Sequence, residues 1–159
     1  MTRSEGTWRR VLVVDDDRDT REMYCESLRV QGFDASTAAS AEDALATIRH
    51  ALPAVVVTDL RFKGQMDGVD LAQRLRSDDR TKGVRIIMLT GAAFGEERDR
   101  AEASGCDRFL LKPCLPATLA SEIRRLTVAG FAPGTHGENL RANAVSARRA
   151  INRTDRRKV

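Results

Sequence analysis

Four short, largely apolar runs in this chain each end at a residue with a charged or reactive side chain. The runs are VLVV (11–14), AVVVT (54–58), IIML (86–89) and RFLL (108–111), and amphipathic stretches separate them. Apolar runs of this length that alternate with amphipathic helices are typical of buried parallel strands joined by crossover helices. The pattern therefore predicts an α/β protein in which helices cover both faces of one parallel sheet.

The predicted elements are five strands and five helices in alternation. The strands are expected at Arg10–Val14, about Phe33–Ala38, Ala54–Thr58, Val84–Leu89 and Arg108–Leu111, the second of them at a sheet edge. The helices are expected at about Arg18–Val30, 40–50, from Asp67 onward, about Phe94–Ser104 and about Pro116–Val128. The expected helix caps are Asp17, Ser40 and Asp67 at N-termini and Gly32 and Gly105 at C-termini. The result is a doubly wound sandwich.

Charge and composition divide the chain in two. Residues 1–128 are long enough for one domain, whereas residues 129–159 begin with a Gly/Pro-rich linker and continue as a basic tail. The tail has seven Lys/Arg and two acids, so it carries +5 of the formal net charge of +4, and the body carries −1. The body is therefore a poor candidate for nucleic-acid binding. The tail is compatible with two interpretations, a solvated appendage or one short basic helix.

Cysteine usage and the N-terminal segment bear on location. Cys25, Cys106 and Cys114 are odd in number and form no CxxC pair, which favours reduced thiols. The N-terminus has no apolar segment of signal-peptide type, and no run approaches the roughly 20 apolar residues of a membrane span. We therefore expect a cytoplasmic protein with no membrane partner.

The polar residues after the four runs are expected to meet. Asp15 and Asp16 follow the first run, Asp59 the second, Thr90 the third and Lys112 the fourth. Ligands bind at the carboxyl ends of strands in open α/β sheets, and these five side chains would share that edge. Three carboxylates, a hydroxyl and an ammonium suit a divalent cation and a phosphoryl group. Magnesium is the cation expected, because it prefers few carboxylates, several waters and a phosphate oxygen.

The joint pattern resembles the receiver domain of bacterial two-component response regulators over about residues 9–128. The resemblance is carried by VLVVDDD, VVVTDL, MDGVDLAQRLR, IIMLTGAA and GCDRFLLKP. It implies a flavodoxin-like sheet with strand order 2-1-3-4-5. It also implies that the protein is a phosphorylation-dependent switch rather than an enzyme with a separate substrate. Its phosphoryl donor would be a sensor histidine kinase or a histidine phosphotransfer protein, and its output a downstream protein target.

The resemblance also assigns roles to residues. Asp59 would be the phosphoacceptor, with Mg²⁺ bound by Asp16, Asp59 and the backbone carbonyl of Arg61, and by Asp15 partly through water. Lys112 and Thr90 would contact the phosphoryl oxygens. Thr90 and Phe109 would form the switch, although Phe109 is also compatible with a plain core role. One departure is that the loop after Asp59 lacks the usual proline and is one residue longer, so that Arg61 could screen water or contact the phosphate.

Three other functions fit parts of the sequence. A transcriptional regulator would bind DNA through the basic tail, but no folded DNA-binding motif is recognisable after residue 130, so DNA is not the expected partner. A magnesium-dependent phosphatase with an aspartyl nucleophile would need a second acid where Arg61 stands. A degenerate receiver that takes no phosphate would not be expected to keep the acids together with Thr90 and Lys112.

Overall fold

The computed structural model describes residues 7–91 and 95–127, which form a five-stranded parallel sheet between two layers of helices. The strands are β1 (Arg10–Val14), β2 (Asp34–Ala38), β3 (Val55–Asp59), β4 (Arg85–Thr90) and β5 (Arg108–Leu111). The helices are α1 (Arg18–Val30), α2 (Ala41–His50), α3 (Gly68–Ser77), α4 (Glu96–Ala103) and α5 (Pro116–Thr127). The strand order β2-β1-β3-β4-β5 confirms the predicted topology and the edge position of β2.

Two strands begin and end one residue later than predicted. Asp59 pairs in register with Leu89, and Thr90 pairs with Leu111, so both polar residues close their strands instead of following them. The ladder fixes the backbone of Asp59 from β4 and that of Thr90 from β5. The predicted start of α4 at Phe94, the linker and the basic tail lie outside the described residues.

The alternation of β1 separates two apolar cores. Val11 and Val13 pack with α1 and α5 on one face of the sheet, whereas Leu12 and Val14 pack with α2, α3 and α4 on the other. Successive strand residues point to opposite faces, so a strand covered on both sides must be apolar throughout. This burial holds the carboxyl ends of the central strands at fixed positions.

Helix ends follow the predicted capping. The side chains of Asp17, Ser40 and Asp67 accept hydrogen bonds from the amides of the third residue of α1, α2 and α3 respectively. Gly105, which follows the C-cap residue of α4, adopts a φ of 83°, in the left-handed region that favours glycine. None of the helices within residues 7–91 and 95–127 has the length and apolar character needed to cross a membrane.

Candidate functional site

Three carboxylates meet at the carboxyl edge of the sheet, as the sequence predicted. Asp15 and Asp16 follow β1, and Asp59 closes the neighbouring β3. One carboxylate oxygen from each lies within 4.8 Å of the others. Asp15 is buried, Asp59 is half-buried and Asp16 is exposed, so the cluster is open to solvent on the Asp16 side.

Lys112 joins this cluster from the end of β5. Its ammonium lies 3.2 Å from Oδ2 of Asp15 and 3.1 Å from Oδ2 of Asp59. Burial opposes the charge of Lys112, but the carboxylates of Asp59 and Asp15 raise its pKa above the usual value. The lysine therefore stays protonated and partly offsets the repulsion between the two acids.

Backbone amides hold two of the carboxylates in place. Oδ1 of Asp15 accepts from the amide of Asp17 at 2.9 Å, and Oδ1 of Asp59 accepts from the amide of Leu60 at 2.7 Å. Burial raises the pKa of Asp15, and the Asp17 amide and Lys112 counteract that effect only in part. Ionised Asp15 is thus under-compensated by the protein alone, and an added cation would stabilise it.

Thr90 and Phe109 lie on the two strands beside this cluster. Thr90 is buried at the end of β4, and its carbonyl accepts from the amide of Lys112 at 2.7 Å. Phe109 is half-buried in β5 and packs against the core on the α2, α3 and α4 side of the sheet. The sheet therefore brings Thr90 next to the strand of Asp59, as the sequence predicted, and gives Phe109 a partly open environment.

The loop between β3 and α3 closes over one side of the site. The amide of Lys63 donates to Oδ2 of Asp16 at 3.1 Å. The side chain of Arg61 is 67% exposed and forms an ion pair with Glu97 of α4. In this structure the Arg61 side chain contacts α4, and its contact with water or phosphate at Asp59 stays a prediction.

Sequence reasoning missed the role of Gly68 at this site. A Cβ atom at Gly68 would lie 1.9 Å from the carbonyl oxygen of Asp59, so no side chain fits there. The amide of Gly68 donates to the carbonyl of Leu60 at 3.0 Å, which draws the first turn of α3 against the end of β3. The Asp67-Gly68 pair before an apolar helical pattern is the signal that was available in the sequence.

The donor set fits a hard divalent cation. Asp15, Asp16 and Asp59 offer only oxygen ligands, and the open Asp16 side leaves room for water. A Mg²⁺ ion keeps several waters and uses one or two carboxylates, so it does not need a closed protein cage. The under-compensated charge of Asp15 adds an electrostatic reason for a cation at this position.

Comparison with known proteins places this geometry in a family. The family model of the response regulator receiver domain matches residues 11–124. The DNA-binding response regulator MtrA of Mycolicibacterium paratuberculosis is 36% identical over 115 residues, which are 72% of this chain and 49% of that protein. A 14.6 kDa protein of Leptolyngbya boryana is 34% identical over 119 residues, which are 75% of this chain and 90% of that one.

Solved structures agree with the sequence relatives. The chemotaxis protein CheY4 of Vibrio cholerae superposes with a TM-score of 0.69 at 31% identity, covering 74% of this chain and 97% of that one. This chain spans about half the length of MtrA, so the match to MtrA concerns its receiver part. Receiver domains bind Mg²⁺ at an acidic cluster like this one and interact with sensor kinases or phosphotransfer proteins. The chain belongs to the response regulator receiver family, whose members act as signalling switches.

Proposed function

We propose that Asp59 accepts a phosphoryl group from a phosphohistidine of a sensor kinase or phosphotransfer protein. The observation that carries this proposal is the position of the Asp59 carboxylate, 3.1 Å from the Lys112 ammonium and within one cluster with Asp15 and Asp16. Asp59 is half-buried, so an incoming phosphoryl group can reach it, whereas Asp15 is buried. Asp59 is thus the more accessible of the two acids that contact Lys112.

The reaction forms a P–O bond to a carboxylate oxygen of Asp59 while the P–N bond of the phosphohistidine breaks. The electron pair of that bond stays on the histidine nitrogen, so no redox partner is needed. When bound, Mg²⁺ neutralises charge on the carboxylates and the phosphoryl oxygens. Asp15, Asp16, Asp59 and the backbone carbonyl of Arg61 would hold it.

Lys112 and Thr90 then act on the product. The Lys112 ammonium, already placed between Asp15 and Asp59, offers a mobile point charge to the phosphoryl oxygens. The Thr90 hydroxyl offers a hydrogen bond from the adjacent strand. Movement of Thr90 toward the phosphoryl group would leave space for Phe109 to rotate inward, and the changed surface would then bind a downstream protein.

A phosphorylation assay tests the assignment of Asp59. Incubation with acetyl phosphate and Mg²⁺ should add one phosphoryl group to the wild type and none to Asp59→Asn, measured by intact-protein mass spectrometry. Asp79→Asn is the matched control, because Asp79 is an exposed acid that pairs with Lys82 near the end of α3. Labelling of Asp59→Asn at the wild-type level would contradict the proposal.

Location and domain division belong to the same proposal. The three free thiols Cys25, Cys106 and Cys114 fit a reducing compartment such as the cytoplasm. Residues 1–128 would be the receiver, and residues 129–159 a linker and basic tail. Deletion of residues 130–159 should leave labelling of Asp59 intact, since every proposed site residue precedes that segment.

A second candidate function is DNA binding through the tail. It is favoured by the +5 charge of residues 129–159 and by the name of the relative MtrA, a DNA-binding response regulator. Non-specific, strongly salt-dependent binding would not support it, since any basic segment shows that. Sequence-specific binding that is lost when residues 130–159 are deleted would replace the protein-target proposal with this one.

A further inference from the structure

Helix α4 has few apolar contacts with the rest of the domain. Of its eight residues, Ala101 alone is fully buried, whereas α3 buries Gly68, Val69, Leu71, Ala72 and Leu75. Its N-cap is Gly95, which provides no side-chain hydrogen bond. Apolar burial is the main stabilising force for most surface helices, so the position of α4 must depend more on polar contacts.

Two ion pairs provide these contacts, and both lead to the β3–α3 loop. Glu97 pairs with Arg61, and Nη2 of Arg100 lies 2.6 Å from Oδ2 of Asp67. Glu97 and Arg100 are three residues apart, so they share one face of α4. Arg61 and Asp67 lie at the two ends of the loop, so α4 contacts this loop at both of its ends.

The same loop contacts the carboxylate cluster. The amide of Lys63 donates to Oδ2 of Asp16, and Phe62 and Met66 pack against the core. Asp67 is fixed on its other side, since its Oδ1 accepts from the amide of Asp70 as the N-cap of α3. The loop is therefore a short bridge between the site and α4, held by polar contacts at either side.

We propose that Glu97 and Arg100 are positioning residues that clamp the β3–α3 loop to α4, so that a change at Asp16 and Asp59 reaches α4 through this loop. A cation at the cluster would compete with the Lys63 amide for Asp16, and a phosphoryl group would compete with Asp16 for that amide; either releases one side of the bridge. The two ion pairs then transmit the loop's displacement to a helix in which Ala101 is the one buried residue. The clamp stands on contacts in the unphosphorylated protein; only the transmission step rests on the proposed function.

Hydrogen exchange of the unphosphorylated protein tests the clamp. Glu97→Gln and Arg100→Gln should each raise amide exchange several-fold in α4 and also at Lys63, whose amide reports the contact with Asp16. Glu102→Gln is the control matched to Glu97→Gln, and Arg98→Gln is the control matched to Arg100→Gln, because Glu102 and Arg98 pair with each other inside α4 and each variant loses the same charge from the same helix. Unchanged exchange at Lys63 in both clamp variants, or an equal rise in their matched controls, would overturn the clamp.

A second measurement tests transmission. Acetyl phosphate and Mg²⁺ should change exchange in α4 of the wild type, and this response should shrink at least several-fold in the Glu97→Gln/Arg100→Gln variant while Asp59 is still labelled. If the labelled double variant keeps the full response and Thr90→Ala loses it, the route runs through Thr90 and the proposal is wrong. Absence of label on the wild type would instead overturn the proposed function and leave the clamp to be judged by the first experiment.

Discussion

The two ends of the sheet each hold an aspartate beside a cation, and they differ in what surrounds the pair. At the amino end, the Asp107 side chain is 1% exposed and accepts from Nη2 of Arg76 and from the amide of Ile86, both at 2.8 Å. At the carboxyl end, the Lys112 side chain is 29% exposed and divides its charge between Asp15 and Asp59. The acid of the first pair is closed to water, although Arg76 is 20% exposed, whereas Asp59 in the second pair is itself 20% exposed.

The cations themselves account for much of this difference. The planar guanidinium of Arg76 donates to Asp107 and also to the carbonyl oxygens of Gly105, Lys82 and Val84. Four of its five N–H groups thus donate to fixed acceptors, which ties the last turn of α3 to the start of β4 and β5. Lys112 is a point charge on a flexible stem, so a new anion can take the place of a carboxylate. The amino-end pair therefore stabilises the fold, because its partners are fixed. The carboxyl-end pair is suited to function, because one partner of Lys112 can be exchanged.

The largest effect is expected from breaking the amino-end pair. Asp107→Asn should lower the free energy of unfolding by about 3 kcal/mol, because it leaves the charge of Arg76 without its buried counterion. Urea denaturation measures this, and Asp79→Asn, in an exposed pair, should change it by less than about 0.5 kcal/mol. A decrease in the free energy of unfolding as small as that of Asp79→Asn would mean that Asp107 contributes no more to stability than a surface acid.

The carboxyl end is expected to be rigid in its backbone, though not in its ion pairs. Gly68→Ala should cost about 2 kcal/mol, since the added methyl group would collide with the carbonyl of Asp59 and the packed backbone must shift. It should also slow labelling of Asp59 by acetyl phosphate. Gly83→Ala is the control, because a Cβ there meets nothing within 4 Å. Equal stability of the two variants would show that the end of β3 is softer than its contacts indicate.

Magnesium should stabilise the accessible end. At a concentration ten times its dissociation constant, a ligand that binds only the folded state adds about 1.4 kcal/mol. We expect thermal denaturation of the wild type to show this shift, and Asp16→Asn to reduce it, because a charged oxygen ligand becomes neutral. In Asp107→Asn the magnesium shift should remain, since Asp107 lies at the opposite end of the sheet. Loss of the shift in both variants would contradict a site confined to the carboxyl end.

A small pH effect is expected at the Asp67–Arg100 pair. Burial disfavours ionised Asp67, but the Asp70 amide and Arg100 outweigh it and lower the pKa of Asp67 below 3.8. The pair therefore stabilises the folded protein at pH values above the pKa of Asp67 in the unfolded chain, and this stabilisation is lost as the pH falls through the pKa of Asp67 in the folded protein. For a partly exposed pair the stabilisation is less than about 1 kcal/mol. Below about pH 4, protection in α4, taken relative to the slower intrinsic amide exchange in acid, should fall toward that of Arg100→Gln. A difference in α4 protection between Arg100→Gln and the wild type that is the same at pH 3 and at pH 7 would argue against this titration.

Local patterns in the sequence determined much of this structure in advance. The bounds of β1, α1 and β5 are as predicted, as are the N-caps Asp17 and Ser40, because apolar period and capping chemistry act over a few residues. The acids and Lys112 were also predicted to meet, since parallel topology brings strand ends together. Their roles as phosphoacceptor and ligands stay predictions.

Local patterns in the sequence did not predict the side-chain pairs between residues far apart in the chain. Arg76 and Asp107 are 31 residues apart, and Arg100 and Asp67 are 33 apart. Both arginines lie on helices, where a charge most often faces water, so nothing in the local period distinguishes them from solvated residues. The collision that excludes a side chain at Gly68 likewise depends on how two distant segments pack.

The hydrogen bond between Tyr24 and the segment after Lys112 gives this protein an intrinsic spectroscopic probe. The hydroxyl of Tyr24 donates to the carbonyl of Cys114 at 2.7 Å, and Cys114 lies two residues beyond Lys112. The chain has a single tyrosine and a single tryptophan, and Trp8 lies just before the amino end of β1. The near-ultraviolet absorption of Tyr24 should therefore respond to events around Lys112, measured as a difference spectrum in which the constant contribution of Trp8 cancels. Occupancy of the site can be followed optically in the unlabelled, unaltered chain.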